Sequence, residues 1–177
     1  MDVYGNLANL SFDIISTAKF LAERAIKEEI ALGFKPEEVA VTSIYIACRN
    51  HRIPLLLKDL IAMARVEASR VKGLYRKIHR YMRVRAPIPD PEDYLLRRLA
   101  PALSVDEEIA RSALEIIKRA KTNMLTQGKN PSGVAAAALY IALRYRRKPV
   151  SISKLARVSG VTTVTIKNIL KILSSLR

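Results

Sequence analysis

Between residues 152 and 169 the chain has the spacing of a helix-turn-helix: Leu155 and Ala156 on a first helix, Gly160 and Val161 at a turn, Ile166 and Ile169 inside a second helix. Each residue type has a mechanical reason. A small Ala156 lets two helices cross closely, Gly160 supplies a backbone angle that other residues resist, and Val161, Ile166 and Ile169 pin the second helix against the first. The outer face of that helix is then free, and it presents Thr162, Thr163, Val164, Thr165, Lys167, Asn168 and Lys171. These groups suit the major groove of DNA. Threonine and valine methyls can meet the thymine methyl, hydroxyls and Asn168 can hydrogen-bond base edges, and the lysines can meet phosphate. The plainer reading of the same spacing is an ordinary helical hairpin, and Ser159, at a position often apolar in this motif, speaks for it.

The elements that must position this face occur twice. Slid by 95 positions without a gap, residues 36–78 fall on residues 131–173. Pro36, Ala40, Tyr45, Arg49, Pro54, Leu60 and Lys72 meet Pro131, Ala135, Tyr140, Arg144, Pro149, Leu155 and Lys167. Upstream, Ala18, Ala25 and Gly33 match Ala113, Ala120 and Gly128. A unit of this length can hold its own core, so the expectation is a duplicated domain, residues 1–86 and 87–177, and not an array of small stacking units. The apolar spacing is helical throughout, which predicts an all-α fold. In each copy a long helix ends near Gly33 or Gly128, read as a C-terminal cap, and Pro36 or Pro131 opens a strongly apolar central helix, with Asn130 as N-cap in the second. Short and final helices follow, at 57–63 and 68–82, then 152–158 and 162–173. Residues 85–91, with Pro87, Pro89 and Pro91, read as a stiff link, and residues 90–102 as an extra leading helix of the second copy. Its counterpart in the first copy would finish near Leu7, so that copy is expected to lack most of one helix.

The first copy has Arg65 where the second has Gly160, and its last helix is more basic. Arg70, Lys72, Arg76, Lys77, Arg80 and Arg83 follow one another without an acid, which favours contacts to a nucleic-acid backbone over base reading. The charge of the whole chain agrees. It carries 31 Lys and Arg against 16 Asp and Glu, a formal +15, shared by both halves: 15 basic and 9 acidic residues in 1–86, 16 and 7 in 87–177. Such a surplus steers a polyanion.

Several functions are excluded or disfavoured. Cys48 is the one cysteine and His51 and His79 the two histidines, so no internal disulfide or cysteine-rich zinc site forms and no metal or other cofactor is expected. Cys48 reads as core. No P-loop surrounds Gly128-Lys129, and no nucleophile, base or paired carboxylate set reads as catalytic, so an enzyme is not expected. No apolar run is long enough to span a membrane and no secretory signal opens the chain, which predicts an intracellular protein.

Three segments carry a resemblance: SIYIACR at 43–49, GKNPSGVAAAALY at 128–140 and GVTTVTIKN at 160–168. With both repeats in order over nearly the whole chain, they resemble the core of archaeal transcription factor B and its eukaryotic counterpart, transcription factor IIB. The resemblance implies two cyclin-like helical repeats of five helices, the second ending in the helix-turn-helix. It also implies binding to TATA-binding protein on promoter DNA and recruitment of RNA polymerase. By that likeness Val164 and Lys167 fall on base- and phosphate-contacting positions that read the B recognition element upstream of the TATA box. Lys167 stands where the family often has arginine, so a point charge replaces a bidentate fork. Arg70, Lys72 and Gly73 match the region that touches the minor groove downstream of the TATA box. The family's zinc ribbon and reader-linker are not in this sequence, so the expectation is a chain that assembles on a promoter yet supports initiation poorly. A cyclin-like adaptor for a protein partner and a stand-alone DNA-binding regulator remain as alternatives.

Overall fold

The chain divides into two compact units, Met1–Ile88 and Pro89–Arg177. The computed structural model describes residues 10–84 and 86–175; Leu7, where the missing counterpart of the leading helix was expected to finish, and Arg85, at the start of the expected link, lie outside them. Every regular element among the described residues is helical.

In the first unit the helices are α1 (Phe12–Lys27), α2 (Pro36–Asn50), α3 (Leu57–Ala64) and α4 (Ala68–Tyr81). The second opens with α5, made of Pro91–Tyr94, a π-helical stretch Leu95–Leu99 and Ala100–Ala102, and continues with α6 (Glu107–Thr122), α7 (Pro131–Tyr145), α8 (Ile152–Ser159) and α9 (Thr163–Leu173). The π-helical middle of α5 was not foreseen. Pro101 has no N–H to offer the preceding turn and its ring crowds the carbonyl four residues back, and the widened turn just before it accommodates both.

The 95-residue repeat extends to the backbone. α6, α7 and α8 start and stop at the positions of α1, α2 and α3 plus 95. Left-handed backbone recurs in the same register: Glu29 and Met124, Gly33 and Gly128, Arg52 and Arg147, Arg65 and Gly160 all have positive φ. One expectation is corrected here. Gly33 and Gly128 do not cap the long helices, which end at Lys27 and Thr122 with Glu28 and Asn123 as caps. The glycines instead close the irregular turn that leads to the next helix, with φ of 81° and 65°.

In each unit the central helix is the most enclosed. α2 buries Val39, Val41, Ile44, Ile46 and Cys48, and α7 buries Val134 to Leu139 without a break. A helix apolar on all sides must be wrapped by others, and α1, α3 and α4, or α6, α8, α9 and α5, do the wrapping. Burial pushes the Cys48 thiol up to about 12, so it packs as a small apolar group. No helix among the described residues is long and apolar enough to cross a membrane.

Candidate nucleic-acid interface

α8 and α9 are a helix-turn-helix with each end secured by the residue types its sequence provides. Ser151 Oγ accepts the Lys154 N–H at 3.2 Å and starts α8. Gly160, at φ 76°, ends it and donates its N–H to the Ala156 carbonyl at 2.9 Å. Thr162 then starts α9: its Oγ1 accepts the Thr165 N–H at 3.1 Å and lies 2.9 Å from Thr165 Oγ1. Ile166, Ile169 and Leu173 are buried beneath α9.

Contacts from outside the motif hold it in place. Ser132 Oγ donates to the Ser159 carbonyl at 2.6 Å, and Arg98 Nε, from the π-helical part of α5, donates to the Val158 carbonyl at 2.7 Å. Ser159 is fully buried and its own hydroxyl donates to the Leu155 carbonyl at 2.6 Å, so its polarity is satisfied. Asn130 caps α7 as expected, accepting the N–H groups of Ser132 and Gly133 at 3.0 and 3.2 Å. Gly133 is the residue the sequence reading missed. A Cβ there would lie 2.8 Å from Ile169 Cδ1 and 3.3 Å from Thr165 Cγ2, so the missing side chain is what lets α9 seat against the start of α7.

The seven positions expected on the outer face divide into three groups. Val164 is 62% exposed, and Lys167, Asn168 and Lys171 are exposed with it. Thr162 is exposed but its hydroxyl is engaged as the cap. Thr163 is half-buried, and so is Thr165, whose methyl lies beside Gly133 and whose hydroxyl meets Thr162. Lys154 and Arg157, which sequence reading did not single out, are exposed on α8. The stretch 152–175 holds no acid at all. That absence was the signal for them.

In the first unit α4 takes the place of α9. Lys72 is exposed, and a Cβ at Gly73 would meet nothing within 4 Å, so no neighbour among the described residues requires glycine there. Arg70 is held by its own unit: Nε donates to Glu38 Oε1 at 2.8 Å, a terminal nitrogen donates to the Gly33 carbonyl, and the guanidinium lies 4.8 Å from the Phe34 ring centre. Lys77 reaches the same ring at 5.2 Å. Glu38 is buried, and its other oxygen accepts the Lys35 N–H at 2.8 Å. The hydrogen bond from Arg70 holds the Glu38 carboxyl below its ordinary value, against the opposite pull of burial. Among the described residues no three His, Cys, Asp or Glu are placed to hold a metal ion.

Residues 2–81 and 85–175 each match the family described as the transcription factor TFIIB repeat. A transcription initiation factor IIB of Saccharolobus shibatae is 34% identical over 93% of this chain and 53% of its own length. One from Pyrodictium occultum is 35% identical over 90% of this chain and 51% of its own, and one from Ignicoccus hospitalis 32% identical over 99% and 57%. The chain thus spans about half the length of the curated relatives it matches. With two repeats matched in order and the helix-turn-helix formed in the second, the chain belongs to the transcription factor TFIIB repeat family.

Proposed function

We propose that this chain is the promoter-binding core of a general transcription initiation factor. It binds the complex of TATA-binding protein with promoter DNA, reads the B recognition element through α9, and so orients assembly and recruits RNA polymerase. The observation that carries this reading is the exposed face of α9, where Val164 stands among Lys167, Asn168 and Lys171 on a helix whose other side is locked to α7. A rigidly seated helix with a small apolar group at its exposed start and cations alongside is the form that major-groove reading requires. Thr163 and Val164 are the base readers, Lys167 and Lys171 meet phosphate, and Asn168 supplies an amide to either. Thr162 and Thr165 contribute by fixing the start of the helix.

Residues 1–86 and 87–177 act as the two repeats, and the first contributes backbone contacts. Lys72 offers a free cation and Gly73 an open stretch of helix surface, which favour close approach of a sugar-phosphate backbone. Arg70, tied to Glu38, shapes that surface as much as it touches DNA.

A gel-shift on a TATA-box duplex tests this, with and without TATA-binding protein, using an intact or a scrambled purine-rich upstream element. Binding that needs both partner and intact element is the expected result. Element-independent binding without the partner would instead make the chain a general DNA binder, and no shift under any condition would leave a protein-binding adaptor.

A further inference from the structure

The first unit holds a phenol ring of its own in a defined seat. Tyr75 of α4 is half-buried, with its ring 5.8 Å from that of Tyr45 on α2 and 6.2 Å from that of His79 one turn further along α4. Arg49, one turn beyond Tyr45, lies 5.7 and 5.9 Å from the two tyrosine ring centres and donates from a terminal nitrogen to the Tyr75 hydroxyl at 3.0 Å. The phenol is thus held by a ring against its ring and a guanidinium N–H on its oxygen.

The second unit keeps the receiving half of this seat and lacks the phenol. Tyr140 and Arg144 stand 95 residues after Tyr45 and Arg49, and Arg144 lies 6.0 Å from the Tyr140 ring centre. Leu170 and Ser174 stand where α4 has Tyr75 and His79, so α9 supplies neither a ring nor a phenol oxygen. A pocket of about 700 Å³ opens there, with Ile116, Tyr140, Arg144, Leu170 and Ser174 among its lining. The two final helices keep the same register against their cores, because Ile169 and Leu173 are buried as their counterparts Leu74 and Ile78 are. What distinguishes the pocket from the filled seat is therefore local to positions 170 and 174.

We propose that this pocket is a binding site for a phenol ring of tyrosine size, seated as Tyr75 is seated in the first unit. The ring packs against Tyr140 over Leu170, and its oxygen accepts an N–H from Arg144. Ser174 is short and exposed, which leaves the outer side open for the remainder of the ligand.

The test titrates the full chain with N-acetyltyrosinamide and follows backbone amide signals by NMR. Saturation with a Kd of roughly 0.3 to 5 mM is expected, with the largest shifts at Arg144, Leu170 and Ser174. N-acetylphenylalaninamide should bind at least about fivefold more weakly, since it lacks the oxygen that Arg144 meets, and Arg144→Met should erase that preference. Leu170→Tyr and Ser174→His restore the first unit's own residues and should each weaken binding at least about fivefold by occupying the space. Thermal melts confirm folding, and with two filling variants the loss of one does not remove the test. p-Cresol separates the sources of such a ring: weaker binding than the amide assigns the site to a tyrosine of a polypeptide, and binding as tight assigns it to a free phenol. No saturation by about 20 mM overturns the proposal. So do shifts confined to other parts of the chain, equal binding of the two amides, a preference that survives Arg144→Met, or unchanged binding in both filling variants.

Discussion

The Arg70 Nε–H is donated to the buried Glu38 carboxylate at 2.8 Å, and the two residues that stand at these positions in the second repeat are Gly133 and Thr165. The same helix crossing is therefore made in two ways. In the second repeat the helices meet backbone against methyl, with no room for a side chain at 133. In the first, a carboxylate fills that place and an arginine on the final helix neutralises it. The consequence lies in what each final helix can offer. α9 is held by apolar contact and keeps its exposed cations uncommitted to that joint, whereas α4 uses one of its cations to hold itself in place.

This joint makes the first repeat acid-sensitive. Glu38 titrates below its ordinary 4.5 because the hydrogen bond from Arg70, helped by the Lys35 N–H, outweighs burial. A folded-state value lower than the unfolded one gives stability that is complete above pH 4.5 and lost as pH falls through the folded value. Urea unfolding of the wild type is expected to weaken between pH 5 and pH 3 by more than that of Glu38→Gln, which starts less stable at pH 7. Parallel curves for the two proteins would show that the pair contributes nothing to this dependence.

Exchanging the two joints tests the correspondence directly. Gly133→Glu alone places an unpartnered carboxylate against Ile169 and Thr165, with an expected loss of about 3 kcal/mol. Adding Thr165→Arg and Ile169→Leu rebuilds the first repeat's arrangement, since position 74, the counterpart of 169, is leucine. Most of the loss should return in denaturant melts of the triple variant. A triple variant no more stable than Gly133→Glu would mean that the two crossings are not interchangeable.

These joints also mark where sequence reading stopped. The duplication, the helix order, the proline starts and the Asn130 cap were legible because each is a local signal repeated 95 residues apart, and most helix bounds followed from it. Gly133 was not legible, because its importance lies in Ile169 and Thr165, far along the chain, and nothing local distinguishes it from an ordinary helical glycine. Gly33 and Gly128 were misplaced as helix caps for a related reason: positive φ was inferred correctly, but Glu29 and Met124 take up left-handed backbone four residues earlier and end the helix first. Thr165 was assigned wholly to the outer face from periodicity, which does not reveal that its methyl fills the space over a glycine.

Ser43 presents a simpler stability prediction. It is fully buried on α2, and among the described residues its Oγ is the buried side-chain polar atom left without a hydrogen-bond partner. The second repeat has Ala138 at this position. Ser43→Ala removes the orphaned hydroxyl and improves helix propensity, so a gain of about 1 kcal/mol is expected in chemical denaturation. A loss of stability would show that the hydroxyl has a partner after all.

Lys72 and Arg70 separate charge from structure within α4. Lys72→Ala removes an exposed cation and should weaken binding to every promoter duplex alike, lowering the slope of log affinity against log salt by about one unit without changing the melting temperature. Arg70→Ala should lower the melting temperature as well, because it strands Glu38. If Lys72→Ala changes the ranking of DNA sequences, its contact is to bases and not to phosphate.

Val164 carries the sequence-reading proposal in its most exposed form. It is a 62% exposed apolar side chain at the second position of a helix whose first-turn hydroxyls, on Thr162 and Thr165, are occupied with capping. Among the described residues Val164 belongs to neither apolar core, whereas a thymine methyl in the major groove would give it an apolar partner. Val164→Glu sets a carboxylate at that contact, where it repels the phosphates and has no methyl partner, while favouring the helix N-terminus and so leaving the fold intact. The expected outcome is unchanged thermal stability together with loss of discrimination between an intact and a scrambled upstream element, a difference normally of about 1–3 kcal/mol per base pair read. Competition gel-shifts with both elements measure that ratio. An equal fall in affinity on both, with the ratio preserved, would place base reading elsewhere and reduce α9 to an electrostatic contact.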